Sequence, residues 1–237
     1  MPSLPAPLAA RAERWFGRPA TVVEITELSP GLVRVGFAGP PWRGRSWVRG
    51  QEVEFRVGDR EFRHYTPADV DPDSGRFDVV FVRHGDAPGT AWLAGLGVGS
   101  EVGVMGPGGG LRREPDRREL FLGDATALGL FAALMPTSRD ASGAVEVPAE
   151  DVAAAAALVP SLAVVVTGAA PGSALDSWLG VHADDLVREN EPPPEQACLA
   201  GHVGTIDLLR RRIRTEFGLP RRAVATKAHW SEGRRGL

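Results

Sequence analysis

A change of pattern between Arg112 and Arg118 divides this sequence. Before it, short β-branched runs follow one another with turn residues between them. Thr21 to Ala38 holds two such runs around Ser29-Pro30-Gly31, Gln51 to Val57 alternates polar and apolar, and Glu101 to Met105 is stopped by a glycine-rich turn. Closely spaced strands with a single helix, near Ala91–Leu96, predict a small antiparallel β-barrel. After the change, strands at 119–123, 143–147, 162–168, 197–201 and 222–228 alternate with helices at 125–134, 150–158, 173–179 and 205–217. Strand–helix alternation predicts a doubly wound parallel α/β sheet. The expected domains are 1–113 and 114–237. Residues 1–18 predict a short helix closed by Gly17 and Pro19, and Pro40 to Gly50 a loop carrying Trp42 and Trp47.

The chemistry-bearing residues of the first half lie mainly in Glu61–Gly85, EFRHYTPADVDPDSGRFDVVFVRHG. It reads as a strand ending at Arg63-His64-Tyr65-Thr66-Pro67, a turn at Asp71–Gly75, and a second strand ending at Arg83-His84-Gly85. Tyr65 is the only tyrosine. A guanidinium, an aromatic ring and a hydroxyl within four residues suit a ligand with a phosphate and a flat ring. A barrel strand whose tyrosine packs and whose arginine is solvated fits the same residues. Pro88-Gly89-Thr90-Ala91-Trp92 then puts a glycine and a capping-type threonine at a helix start, where free N–H groups attract anions.

Other features exclude more than they assign. The chain has 43% hydrophobic and 24% charged residues and a formal charge of −3, as in an ordinary globular protein. No run is long enough to span a bilayer, and no secretory signal is read at the N-terminus, so a cytoplasmic protein is expected, without membrane insertion or nucleic-acid binding. Cys198 is the only cysteine, which excludes an internal disulfide or a cysteine metal cluster. GPGGGL (106–111) opens no helix and is not a dinucleotide fingerprint. His182 and His229 have no metal-ligand spacing and read as solvated or capping residues. From Thr205 onward the chain is arginine-rich, and Lys227 is its only lysine. That region fits either a solvated face or an electropositive surface for an anionic substrate.

FRHYTPADVDPDSGRFDVVFVRHG with APGTAWLAGLGVGSEVGVMGPGGG resembles the flavin domain of the siderophore-interacting protein family, ferric-siderophore reductases of the ferredoxin–NADP reductase superfold. The similarity covers most of residues 20–135 and returns near the C-terminus. The resemblance implies FAD, with Arg63 on its phosphates, Tyr65 on the isoalloxazine and Thr66 reaching N5. His84 and Gly85 line the ribityl–phosphate path, the backbone at Gly89, Thr90 and Ala91 cradles the pyrophosphate, and His64, Val82 and Trp92 belong with them to the cofactor-binding set. GDATALGL (123–130) resembles the family's Gly-Asp-Glu-Thr-Ala-Leu-Pro-Ala motif, placing Gly123, Asp124, Thr126 and Ala127, with Gly201, against NADPH or NADH. Ala125 and His202 stand where the family has glutamates.

Near the C-terminus, Lys227, Trp230 and Gly233 resemble the family's lysine and Gly-Tyr-Trp-Arg-x-Gly, with His229 and Ser231 in place of the tyrosine and arginine. The resemblance implies that Tyr65, Thr66 and Lys227 serve catalysis and that Lys227 and Trp230 lie by the substrate, a ferric siderophore whose Fe(III) is reduced to Fe(II). Arg45 would help attract the chelate on charge alone. No protein metal ligand is needed, because the iron stays in its chelate. Alternatives are a general flavin reductase driven by NAD(P)H or ferredoxin, and a degenerate protein that binds flavin or a chelate without turnover.

Overall fold

The computed structural model describes residues 7–8, 13, 15–83, 85, 87–111, 113–187 and 192–233. The chain divides into two compact units, Met1–Gly110 and Leu111–Leu237. No helix among the described residues is long and apolar enough to cross a membrane.

The first unit holds β1 (Arg18–Glu27), β2 (Leu32–Ala38), β3 (Glu52–Arg56), β4 (Phe62–Tyr65), β5 (Asp69–Asp71), β6 (Arg76–Val82), helix α1 (Pro88–Ala94) and β7 (Glu101–Gly108). The strands form one antiparallel sheet in the order β4-β3-β7-β1-β2-β6-β5. The expected barrel is thus a seven-stranded sheet around one core, with β4 and β5 as its two edges. Period-two alternation sets the inner face: Val53 and Phe55 of β3 point inward while Glu52, Glu54 and Arg56 do not. The core is aromatic, with Phe37, Phe55, Phe77 and Phe81 nearly inaccessible.

Trp42, expected on a loop, is 1% exposed. Two prolines set a 3₁₀ turn at Pro40–Trp42, which drives the indole into the core, where its N–H donates to the Pro19 carbonyl at 3.1 Å. The turn after β5 is closed by Asp71, whose carboxylate accepts from the N–H groups of Asp73 and Ser74. β7 extends three residues beyond Met105 and stops inside the glycine-rich run, at Gly108.

The second unit holds β8 (Arg118–Asp124), a 3₁₀ turn at Ala125–Ala127, α2 (Leu128–Leu134), β9 (Asp140–Val147), α3 (Val152–Leu158), β10 (Ala163–Val166), α4 (Ser173–His182), β11 (Gln196–His202), α5 (Val203–Phe217) and β12 (Val224–Trp230). All five strands are parallel, in the order β10-β9-β8-β11-β12. The order reverses between β8 and β11, so the carboxyl ends of those strands flank the topological switch point. Leu120 and Leu122 pack with Leu175, Leu179, Ile206 and Leu209 of α4 and α5. Phe121, of opposite parity on β8, meets Phe131 of α2 at 5.2 Å. Near-continuous burial of β8 and β11 is what a sheet covered on both faces requires.

At the other end of β8, Glu119 is 1% exposed and meets Arg113 at 2.5 Å. Arg113 also donates to Thr137 and Ser138, and Ser138 donates to Glu119, so the charges share a closed network. Burial pushes the Glu119 carboxyl up, while Arg113 pulls it down. Cys198 is buried in β11, and burial pushes its thiol far above the usual range, so it is no nucleophile.

Candidate functional site

In the first unit, the residues singled out around Tyr65 and Gly89 meet although they are far apart in the chain. Cross-strand pairing sets Arg63 opposite Phe55 and Tyr65 opposite Val53, both inward positions of β3. The Tyr65 ring lies 4.6 Å from Phe81 and 5.9 Å from Phe55. Its hydroxyl reaches the start of α1, where a β-carbon on Gly89 would sit 2.8 Å from it. Only glycine lets the two elements approach this closely. Trp92 of the same helix packs on Phe55 at 5.1 Å and Phe81 at 5.9 Å, fixing α1 to the aromatic core.

Burial pushes the Tyr65 phenol up to about 12, against the opposing pull of Arg63. Tyr65 is therefore a neutral ring and hydroxyl at physiological pH, not a base. Arg63 donates to the Phe62 carbonyl at 2.8 Å and has no ion pair among the described residues. Thr66, 9% exposed, follows directly.

The structure narrows several expectations here. His64 alternates to the other face of β4, where its Nε2 lies 3.2 Å from Glu54, so the ring sits apart from Arg63 and Tyr65. Thr90 is not the helix cap: Ala87 occupies that position and offers no side-chain oxygen. The N–H groups of Thr90 and Ala91 already donate to the Ala87 carbonyl at 2.9 and 3.1 Å. Of the three N–H groups from Gly89 to Ala91, those of Thr90 and Ala91 are taken by the first turn, and that of Gly89 has no partner among the described residues. Val82 ends β6 half-buried and Gly85 is exposed, while His84 lies outside the described residues. Arg45 stacks over Trp42 at 5.6 Å with its Nε buried and unpartnered. Burial, and then Arg18, hold its guanidinium below the usual range.

In the second unit, the carboxyl ends of β8, β11 and β12 are tied together by Asp124. Its Oδ1 accepts from the Thr126 N–H at 2.9 Å and the Thr126 hydroxyl at 2.5 Å. Its Oδ2 accepts from the His202 N–H and the Trp230 indole N–H, each at 2.8 Å. Gly201 makes room for this: at φ +117, any β-carbon there would meet the Asp124 carboxylate. Gly123 is equally closed in, against Ala200 and Ala127. Asp124, expected to face a nicotinamide, thus spends its carboxylate on four internal donors. Trp230, expected beside a substrate, commits its N–H to Asp124 and sets its ring 4.5 Å from that of His202.

His202 does not stand in for an acidic residue. Its Nδ1 accepts from the Thr205 N–H at 3.4 Å, capping α5. His229, read from sequence as solvated or capping, lies with its Nδ1 3.0 Å from the Thr126 hydroxyl. No local spacing could have found that pair, 103 residues apart. His182 stacks on Trp178 at 4.8 Å within α4. Lys227 lies half-buried on edge strand β12, paired with Ala200. Thr126 and Ala127 open the 3₁₀ turn after β8, and Ala127 is buried.

With this geometry in view, residues 58–111 match the family model of the siderophore-interacting FAD-binding domain. The chain is 30% identical over 239 residues to the mycobactin import ATP-binding/permease protein IrtA of Mycolicibacterium thermoresistibile, matching 91% of this chain and 25% of that protein. It spans about a quarter of the length of the curated relatives it matches. Among solved structures it resembles the siderophore-interacting protein SipS from Aeromonas hydrophila, with a TM-score of 0.72, 21% identity and 92% of each chain covered. It also resembles a siderophore utilization protein from T. fusca, with a TM-score of 0.71, 23% identity and 93% and 95% of the two chains covered. Residues 58–111 thus match a siderophore-interacting FAD-binding domain, and the chain has the ferredoxin–NADP reductase-like fold of the siderophore-interacting proteins it resembles.

Proposed function

We propose that this protein is an FAD-dependent reductase of ferric siderophores, drawing electrons from NADPH or NADH. The observation that carries the reading is the meeting of Arg63, Tyr65 and Gly89 in the first unit: a cation without a carboxylate partner among the described residues, a neutral aromatic ring, and an unused N–H at a helix start. These fit a ligand that combines phosphates with a flat ring. Arg63 would pair with the phosphates, the Gly89 N–H would add a second anion contact, and Tyr65 and Thr66 would hold the ring system. Bound FAD would supply two-electron acceptance from a nicotinamide and one-electron delivery to Fe(III). Lys227, with Arg45, would attract an anionic chelate. Reduction favours release because hard oxygen donors hold Fe(II) less well than Fe(III).

The test has two stages. Purified protein incubated with FAD should turn yellow and keep a flavin absorption spectrum after desalting; colourless protein would end the reading. Anaerobic addition of NADPH or NADH should then bleach the flavin, and a ferric hydroxamate or catecholate should restore it with Fe(II) appearing in a chromogenic trap.

One observation favours a second reading, a flavoprotein reduced by another donor such as ferredoxin. The switch-point carboxylate, Asp124, is consumed by internal donors, and His202 caps a helix where the family has a glutamate. Flavin bleached by reduced ferredoxin but by neither nicotinamide would decide for it. Flavin that no donor bleaches would leave a binding protein.

A further inference from the structure

The strand order β10-β9-β8-β11-β12 is that of a doubly wound sheet in which β8, β9 and β10 form one half. A dinucleotide lies across the carboxyl ends of such a sheet, and its adenosine ribose reaches the end of the second strand of that half, here β9. What stands there decides between a free ribose 2′-hydroxyl and a 2′-phosphate, the one difference between NADH and NADPH. A carboxylate accepts from the hydroxyl, whereas a phosphate needs a cation or an open helix N-terminus.

Among the described residues neither a cation nor an open helix start stands at this edge. No lysine, arginine or histidine occurs between Arg139 and His182, a stretch that holds β9, α3, β10 and α4 up to its last residue. The start of α4 is filled from within. There the N–H groups of Gly172 and Ala174 donate to Glu146 at 3.0 and 3.2 Å, and that of Ser173 donates to the Ala170 carbonyl. Glu146 is 4% exposed, so this carboxylate is a fixed part of the end of β9.

Cations of the neighbouring elements are placed elsewhere in the unit. Arg212 of α5 is paired with Asp176 and Glu216. Arg118, Arg139, Arg221 and Arg222 lie at the amino ends of strands. Lys227 stands on β12, three strands from β9, or about 14 Å at the ordinary strand spacing. His202, whose neighbour Thr205 packs on Gly172, uses its Nδ1 to cap α5. What the edge does present is an acid and a hydroxyl. The Thr167 N–H donates to the Val147 carbonyl at 2.8 Å, which holds the ends of β9 and β10 level. Just beyond that bond come Glu150, exposed in the 3₁₀ turn after β9, and Thr167 itself, exposed after β10.

We propose that the nicotinamide donor of this protein is NADH, selected by Glu150, which accepts from the adenosine 2′-hydroxyl and repels a 2′-phosphate; this rests on the nicotinamide-driven reading above. One carboxylate then both favours the right donor and opposes the wrong one. The two donors differ in nothing else, so the selection is one of binding.

The first test needs no hydride transfer. ADP-ribose and its 2′-phosphate are titrated by calorimetry into the full chain loaded with FAD. The unphosphorylated ligand should bind about 10- to 100-fold more tightly, the worth of one charge-assisted contact. Glu150→Arg should erase or reverse that ratio by tightening the 2′-phosphate. Ser161→Arg adds the same charge on the exposed turn before β10, at the other end of the strand, and should keep the parent ratio. Parent protein that binds the 2′-phosphate as well or better overturns the proposal. So does a ratio that Glu150→Arg leaves unmoved, or that both arginine variants shift equally.

Anaerobic bleaching of the flavin separates this proposal from the reading beneath it. Below saturation, NADH should bleach about 10- to 100-fold faster than NADPH, and Glu150→Arg should close the gap. Bleaching by NADPH at an equal or greater rate defeats this proposal alone. Flavin that neither nicotinamide bleaches defeats the nicotinamide reading, and this proposal with it.

Discussion

Tyr65 and Asp124 each stand at the end of a strand, beside the start of a helical turn, and their surroundings are opposite. Around Tyr65, polar groups remain uncommitted among the described residues: Arg63 bonds one carbonyl, and Gly89 keeps its N–H. Around Asp124 every neighbouring donor is taken, as Thr126, His202 and Trp230 all point at one carboxylate. Glu146, at the end of β9, is used likewise, accepting from the N–H groups of Gly172 and Ala174 at the start of α4. The first arrangement is built on an aromatic platform and leaves its polar groups without partners among the described residues. The second is a closed network that shapes the strand ends. A strand end beside a helix start is therefore a position for chemistry, and the hydrogen-bond inventory decides what kind.

The comparison breaks most readily at Asp124. Asparagine has the same shape but replaces one acceptor oxygen with an NH₂ group, which faces existing donors. Asp124→Asn should lower stability by about 2–4 kcal/mol, read by urea unfolding. An Asp124→Asn protein that kept its stability but lost flavin would reverse the assignment of the two regions.

Tyr65 gives the next effect. Its pKa rises from 10.0 to about 12 in the folded protein. A folded pKa above the unfolded one means the folded state holds the proton more tightly. The associated stability is complete below pH 10 and is lost as pH climbs through about 12, roughly 2–3 kcal/mol in all. Because Tyr65 is the only tyrosine, tyrosinate absorbance reports it alone. A midpoint near 10 would mean that the ring is not buried against Phe81.

Removing the uncommitted cation should act on the ligand and spare the fold. Arg63→Ala should weaken FAD by roughly 10- to 100-fold, from the loss of charge-assisted bonds to phosphate, measured by fluorescence titration. Equal losses of flavin and stability would mean that Arg63 is structural. The smallest effect is expected at Trp230. Phenylalanine there removes one donor to Asp124 while keeping the ring, and should cost about 1 kcal/mol in unfolding experiments.

Much of this was legible from local pattern. Alternation in β3 and apolar runs in β8 and β11 follow from period and burial, and the two sheet types with them. Arg63, Tyr65 and Gly89 were marked by residue type alone. Long-range contacts were not legible. Trp42 looks like a loop residue until the 3₁₀ turn at Pro40 drives it into the core. Thr90 has the composition of a cap, but the cap position lies three residues earlier, at Ala87. His229 looked solvated because its partner, Thr126, lies in another strand–helix connection.

By itself, the sequence determined the two architectures and singled out Arg63, Tyr65 and Gly89. Such features arise from neighbours a few residues apart, through side-chain alternation and turn chemistry. Tertiary structure alone decided which polar groups are spent. Each donor and acceptor has few bonding positions, and whether they are filled depends on strands brought together from distant parts of the chain. That is why Arg63 has no ion pair among the described residues, while Asp124 holds three strand ends in place.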